Sequence, residues 1–158
     1  MEVEFPYEIR WAKAEEWRQG MDMVWRTFLK FEGDDYTAEG IRNFYDFITD
    51  QKLYQSFLEG SYQVMVALDD GRVIGLASVR NRHHLSLLFV DEMYHKREIG
   101  RHLIDRVCDY LKEEAGEIVM TVNAAPYAVE FYRHLGFCVM RPEEQIDGIR
   151  ITLMEKAL

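Results

Sequence analysis

Up to Gly60, polar and apolar positions alternate mostly at helical spacing. Trp17, Met21, Val24, Trp25 and Phe28 form one apolar stripe, which predicts a helix. The segment Lys30 to Tyr36, KFEGDDY, interrupts it with Gly33 and several acids. Thr37 is placed to cap a second helix, striped by Ile41, Phe44, Tyr45 and Ile48. A third, short helical segment around Leu53 to Leu58 stops at Gly60. Ahead of these, Tyr7 to Trp11 reads as a strand.

From Tyr62 the pattern becomes strand-like. Tyr62 to Leu68 and Arg72 to Val79 flank Asp70-Gly71, a strong two-residue hairpin signal. A third strand runs from about His84 to Val90. Ile99, Leu103, Ile104, Val107, Cys108 and Leu111 then return to helical spacing, followed by a strand from Ile118 to Val122 that ends at Asn123. Pro126 stands near the start of another helix, where its missing N–H costs nothing, and Gly136 ends it. A strand near Phe137–Met140, a turn containing Pro142, and a last strand with Ile149, Ile151 and Leu153 alternating with Arg150 and Thr152 complete the chain. The strand–helix–strand order around residues 84–122 requires parallel neighbours, whereas the hairpins are antiparallel. The reading is therefore one α/β domain over 1–158, with a mixed, mostly antiparallel central sheet of about six to seven strands flanked by helices.

Composition narrows the class. The 158 residues are 48% hydrophobic and 13% aromatic, which is enough for a packed core rather than a disordered chain. The formal net charge of −9 argues against nucleic acid as a partner and is compatible with a cationic acceptor, although many proteins are acidic for solubility alone. Cys108 and Cys138 lie in apolar patterns and read as buried thiols of a reducing compartment, and no Cys/His spacing suggests a metal. The start, MEVEFPYEIR, lacks a signal-peptide core, and no apolar run approaches a membrane span. The expectation is a cytoplasmic protein without membrane contact.

The chemistry is concentrated in residues 87–111, LLFVDEMYHKREIGRHLIDRVCDYL. A buried strand feeds a helix through a charged turn, with Gly100 in the first helical turn. The free N–H groups of such a helix start, together with its dipole, suit an anion, best of all phosphate. His95, Lys96, Arg97 and Arg101 add positive charge there. The competing reading is an ordinary strand-to-helix connection with solvated charges.

A second stretch, EIVMTVNAAPYAVEFYRHLGFC at 117–138, bears on the choice. Asn123, Ala128, Phe131-Tyr132 and Gly136-Phe137, following His95-Lys96-Arg97-Glu98-Ile99-Gly100 at this distance, resemble the two signatures of the GNAT superfamily of N-acetyltransferases. The resemblance covers about residues 62–140. It implies acetyl-CoA as co-substrate and a small-molecule or peptide amine as acceptor. By position, the backbone of Leu88, Phe89 and Val90 would pair with the pantetheine arm. The amides from Lys96 through Arg97, Glu98, Ile99 and Gly100 to Arg101 would hold the pyrophosphate, with His95 beside them. Asn123 would contact the cofactor or cap the next helix, or do both. Tyr132 would be the general acid for the departing thiolate, its competing role being core packing beside Phe131.

Glu98 departs from the family, which usually has glycine there. A side chain turned to solvent is the expected accommodation, since a carboxylate facing the pyrophosphate would repel it. For the base, Glu32, Asp34 and Asp35 lie where the family often builds its acceptor site; Glu32 follows the apolar stripe and an inward position would make it the base, but a solvated acidic loop is the more common outcome for such a segment. His83 and His84 are alternatives acting through water. Two function classes follow: an N-acetyltransferase working through a direct ternary complex, or a non-catalytic CoA-binding or interaction module on the same fold. Monomer and homodimer are equally compatible with the sequence.

Overall fold

The computed structural model describes residues 4–158. Its eight strands are β1 (Glu8–Trp11), β2 (Gln63–Asp69), β3 (Arg72–Arg80), β4 (His84–Val90), β5 (Val119–Ala124), β6 (Cys138–Val139), β7 (Glu144–Ile146) and β8 (Ile149–Ala157). They form one sheet in the order β1-β2-β3-β4-β5-β8-β6, with β7 added to β8. Every pairing is antiparallel except β4 with β5, the pair joined by a helical crossover. The five helices are α1 (Trp17–Phe31), α2 (Ala38–Ile48), α3 (Gln51–Glu59), α4 (Ile99–Glu113) and α5 (Val129–His134).

Local chemistry accounts for most of these boundaries. Thr37 accepts from the Gly40 N–H at 3.0 Å, which caps α2. Gly60 ends α3 at φ +87°, a conformation that costs glycine nothing. Asp70 and Gly71, at φ +49° and +84°, make the tight hairpin between β2 and β3. The strand β7 was not expected: its three residues carry no apolar alternation. It forms because the Asp147-Gly148 turn docks on α2, where the Thr37 N–H donates to the Gly148 carbonyl at 3.2 Å and Asn43 donates to the Asp147 carbonyl at 3.3 Å.

Helices cover both faces of the sheet, which is why β2 and β3 are buried along nearly their whole length. On one face Met23, Val24 and Phe28 of α1 pack with Ile48 of α2 and with Val66, Leu76 and Phe89 of the sheet. On the other, Leu103, Ile104, Val107 and Leu111 of α4 pack with Ile74, Leu85, Met120 and Met154. Phe28 is fully buried, and cutting it to Ala is expected to cost about 3–5 kcal/mol. The expectation of two buried thiols fails for Cys138. It lies on the short edge strand β6 and is exposed, while Cys108 on α4 is half-buried, and burial pushes its thiol up to about 11.

Candidate active site

The site is made where β4 and β5 part. The two strands pair only at His84↔Thr121 and Leu85↔Val122. In the β3–β4 ladder, Ser78 faces Leu87 while Val79 faces Leu85, so Ser86 is an extra residue on β4. Such a bulge bends its strand. The Ser86 hydroxyl is held at 2.9 Å from the Tyr62 hydroxyl, which also meets Ser78 at 2.7 Å. Beyond the bulge β4 stays with β3, β5 stays with β8, and a cleft opens between them.

The cleft leaves part of β4 unpaired on one side. The Asp91 N–H donates to the Ile74 carbonyl at 2.8 Å, and antiparallel bonding alternates, so Phe89 and Leu87 turn their polar backbone to β3. Leu88 and Val90 therefore point their N–H and C=O into the cleft. The Val90 carbonyl receives the His95 ring Nε2 at 2.7 Å, which makes that nitrogen the donor. Of the three residues expected to line the pantetheine path, Leu88 and Val90 border the larger cavity, and Phe89 instead packs on the α1 face and borders the smaller one.

The larger cavity is a groove of about 820 Å³ between β4, the loop 91–98, the start of α4 and α5. His95, Lys96, Glu98, Ile99, Gly100 and Arg101 line it. Lys96 and Glu98 adopt φ +63° and +66°, which concentrates backbone N–H groups at the start of α4. This also explains why glycine would suit position 98. The Glu98 side chain is exposed and lies 3.5 Å from Arg101. A Cβ on Gly100 would come within 3.3 Å of the Phe131 ring and 3.8 Å of Val90, so a side chain here would fill the floor of the groove. Arg97 does not line the groove: it donates to the Tyr7 hydroxyl at 2.8 Å and lies over the Tyr94 ring. The opposite wall is formed by Phe131 and His134 of α5 and by Leu135 just after it; Phe131 entered the sequence reading only through the resemblance, and His134 and Leu135 were not singled out.

The smaller cavity, about 90 Å³, lies on the other side of the cleft. Glu32 is at its back. The stripe Val24–Phe28 continues to residue 32 one turn later, so the carboxyl at the end of α1 faces inward, and the residue is only 7% exposed. Its two oxygens each accept a phenol at 3.4 Å, Oε1 from Tyr36 and Oε2 from Tyr127. Burial raises the Glu32 carboxyl from an ordinary 4.5 to about 7, against the opposing pull of the two phenols. Burial and the neighbouring carboxyl push the Tyr36 and Tyr127 phenols up, so both remain protonated donors. Phe44, Phe89 and Asn123 complete the walls.

Asn123 is not a helix cap. It sits inside β5 opposite Leu153, the strand runs on to Ala124, and Pro126 opens the following helical turn. It borders the smaller cavity and not the groove.

Leu88, Tyr127, Ala128 and Tyr132 line both cavities. Tyr132 is 6% exposed and wedged between the rings of Phe131 and Phe137, both at 5.2 Å. Burial is the main cause that pushes its phenol up, with the Glu32 charge next, so at neutral pH it holds its proton. The two histidines considered as bases lie elsewhere. His84 is at the closed end of the β4–β5 pair, bonded to Thr121 at 2.8 Å, and burial lowers its pKa to about 4. Neither it nor His83 borders a cavity described above. Among the described residues there is no cluster suited to a metal ion, and no helix is long and apolar enough to cross a membrane.

A parted strand pair, an amide-rich helix start and a shared boundary between two cavities make a two-sided ligand site with an anion-binding end. Residues 32–158 match the family model of the acetyltransferase (GNAT) domain, and the chain belongs to that family of acetyl-CoA-dependent acetyltransferases. It is similar in fold to a GCN5-related N-acetyltransferase from Rhodopseudomonas palustris, with 24% identity, a TM-score of 0.83, and 100% of this chain and 99% of the other covered. The PaiA N-acetyltransferase from Thermoplasma acidophilum, solved in complex with coenzyme A, superposes with a TM-score of 0.78 at 18% identity, covering 96% of this chain and 99% of that one. YncA from Salmonella typhimurium, solved with its cofactor acetyl-CoA, gives a TM-score of 0.72 at 20% identity, covering 96% and 94%. A comparison with the curated proteins finds no match.

Proposed function

We propose that this chain moves the acetyl group of acetyl-CoA to a primary amine in a direct ternary complex, with Glu32 as base and Tyr132 as acid. The observation that carries this reading is the shared boundary. A buried carboxyl lies on one side of Tyr132 and the groove with the phosphate-type helix start on the other. The groove supports acetyl-CoA as the donor: the backbone of Leu88 and the N–H of Val90 offer free strand edge to an amide-bearing arm, and the missing side chain at Gly100 leaves the backbone accessible to a diphosphate. Lys96 and Arg101 add positive charge at the groove, His95 lines it, and the amides of residues 96–101 serve as its anion donors.

The residues then divide the proton work. An amine arrives as an ammonium ion, which the Glu32 carboxylate attracts and deprotonates. A base that titrates near 7 is matched to this task at neutral pH. The freed nitrogen attacks the thioester carbonyl carbon, the C–N bond forms, and the C–S bond breaks. Tyr132 donates its proton to the departing sulfur, and the second proton leaving nitrogen restores the phenol. The net products are an amide, a free thiol and one proton released through Glu32. Holding both reactants at one boundary contributes through proximity. The small acidic and aromatic acceptor cavity favours a slender cationic end group over a bulky one.

The non-catalytic alternative drew its support from Glu98. Its carboxylate leans toward Arg101 at the edge of the groove, and so gives that alternative no special weight. The test is thiol release from acetyl-CoA over a panel of primary amines, with and without Glu32→Gln. Release that requires an amine and is lost in the variant supports the reading. Amine-independent release, or none with any amine despite acetyl-CoA binding, overturns it.

A further inference from the structure

Tyr127 has no part in the reaction as written, yet it stands at the junction of the two cavities. It lies in the short helical turn Pro126–Ala128 between β5 and α5. The residue borders both the groove and the smaller cavity and is 57% exposed, although its hydroxyl reaches the buried carboxyl. That hydroxyl lies 3.4 Å from Glu32 Oε2, and Tyr36 takes the other oxygen.

We infer that Tyr127 is a positioning residue with two separable parts: its hydroxyl presents the Glu32 carboxylate to the acceptor amine, and its ring forms the wall against which the acyl end of acetyl-CoA is placed. The inference rests on the reading of Glu32 as the base. Each carboxylate oxygen has room for more than one hydrogen bond. With one site on each oxygen taken by a phenol, rotation of the carboxyl is restrained, and each oxygen keeps a free lone pair for a ligand in the cavity. The two bonds are long, as catalytic hydrogen bonds often are before substrates arrive. The groups facing Glu32 are Tyr36 and Asp35 from the loop after α1, Tyr127 from the turn after β5, and Tyr132 from α5. Asp35 opposes ionisation of Glu32, and the phenols of Tyr36 and Tyr127 favour it. Removing one phenol hydroxyl should therefore make Glu32 harder to ionise while leaving the groove unchanged.

The test is a carbon-13 NMR titration of the glutamate side-chain carboxyls in the whole protein, with the Glu32 signal identified by its loss in Glu32→Gln. The expected midpoint in the wild type is near 7. In Tyr127→Phe it should rise by about half to one pH unit, the size expected for losing a weak hydrogen bond to a charged group. Acetyl-CoA affinity, read by calorimetry, should stay within about twofold in Tyr127→Phe and fall several-fold in Tyr127→Ala, where the ring is lost as well. An unchanged midpoint in Tyr127→Phe overturns the inference, as does an equal loss of acetyl-CoA affinity in both variants. A wild-type Glu32 midpoint near 4.5 overturns the underlying base assignment instead, and that outcome is read before any change at Tyr127.

Discussion

The groove and the smaller cavity share four residues but are built in opposite ways. The groove takes most of its contacts from one short run, residues 88–101, and relies on backbone: an unpaired strand edge, an amide-rich turn and a position with no side chain. The smaller cavity gathers residues from the segment that follows α1, from α2, β4 and β5, from the turn before α5 and from α5 itself. A site made of consecutive backbone tolerates changes of side chain, provided the conformation is kept. A site made of converging side chains can be lost by a single substitution. Substitutions at the two should therefore separate cleanly, acceptor-side changes acting on turnover and groove changes on binding.

The largest expected effect is at Glu32. Glu32→Gln should lower turnover by about 10²–10⁴ and abolish the acid limb of the kcat/KM profile, which should fall below pH 7 in the wild type. The same substitution should raise stability. A carboxyl whose pKa is higher in the folded chain than in the unfolded one loses stability as pH rises from about 4.5 through about 7. Above pH 7 the neutral amide avoids this cost, and thermal unfolding should show a gain of about 3 kcal/mol, absent below pH 4.5. Lower turnover with unchanged stability would mean that the carboxylate is better solvated than its position suggests.

Tyr132→Phe should cost about 10²–10⁴ in turnover if thiolate departure is limiting, with KM for acetyl-CoA within a few-fold. The ring stays, so its contacts with Phe131 and Phe137 survive. Turnover equal to the wild type would reduce Tyr132 to a packing residue and move the acid to solvent or to the incoming ammonium.

Gly100→Asp tests the groove side. The added side chain meets Phe131 and brings negative charge to the helix start. Acetyl-CoA at 100 times its dissociation constant should stabilise the wild type by about 2.7 kcal/mol, and the variant should show no such rise in melting temperature. An undiminished rise would place the donor elsewhere.

The smallest effect is at Glu98. Its left-handed φ of +66° favours glycine, and its contact with Arg101 is exposed. Glu98→Gly should stabilise the fold by about 0.5–1 kcal/mol, with acetyl-CoA affinity nearly unchanged, as followed by denaturant unfolding and calorimetry. A clear gain in affinity would show that the carboxylate faces the diphosphate after all.

Much of this molecule was legible before its structure was known. Spacing alone marks α1, α2 and α4, the Asp70-Gly71 hairpin, and the parallel β4–β5 pair with its crossover helix, because hydrophobic period and turn chemistry are local properties. The loop at 95–101 carries its own signal as well, since the proposed anion donors are consecutive in the chain. Glu32 stands one turn beyond Phe28, but its acidic surroundings favoured a solvated loop, and only the packing of Tyr36 and Tyr127 against it shows the carboxyl turned inward. Other features depend on what packs across space. β7 exists because a turn finds α2, Cys138 is exposed because its strand falls at the sheet edge, and Arg97 leaves the groove because Tyr7 and Tyr94 engage it. The bulge at Ser86, secured by Tyr62 and Ser78, decides where β4 leaves β5. That cleft brings Glu32, Tyr36, Tyr127 and Tyr132 together from separate parts of the chain. The carboxyl's residue type was written in the sequence, but its burial and its shifted pKa arise only from the walls that enclose it.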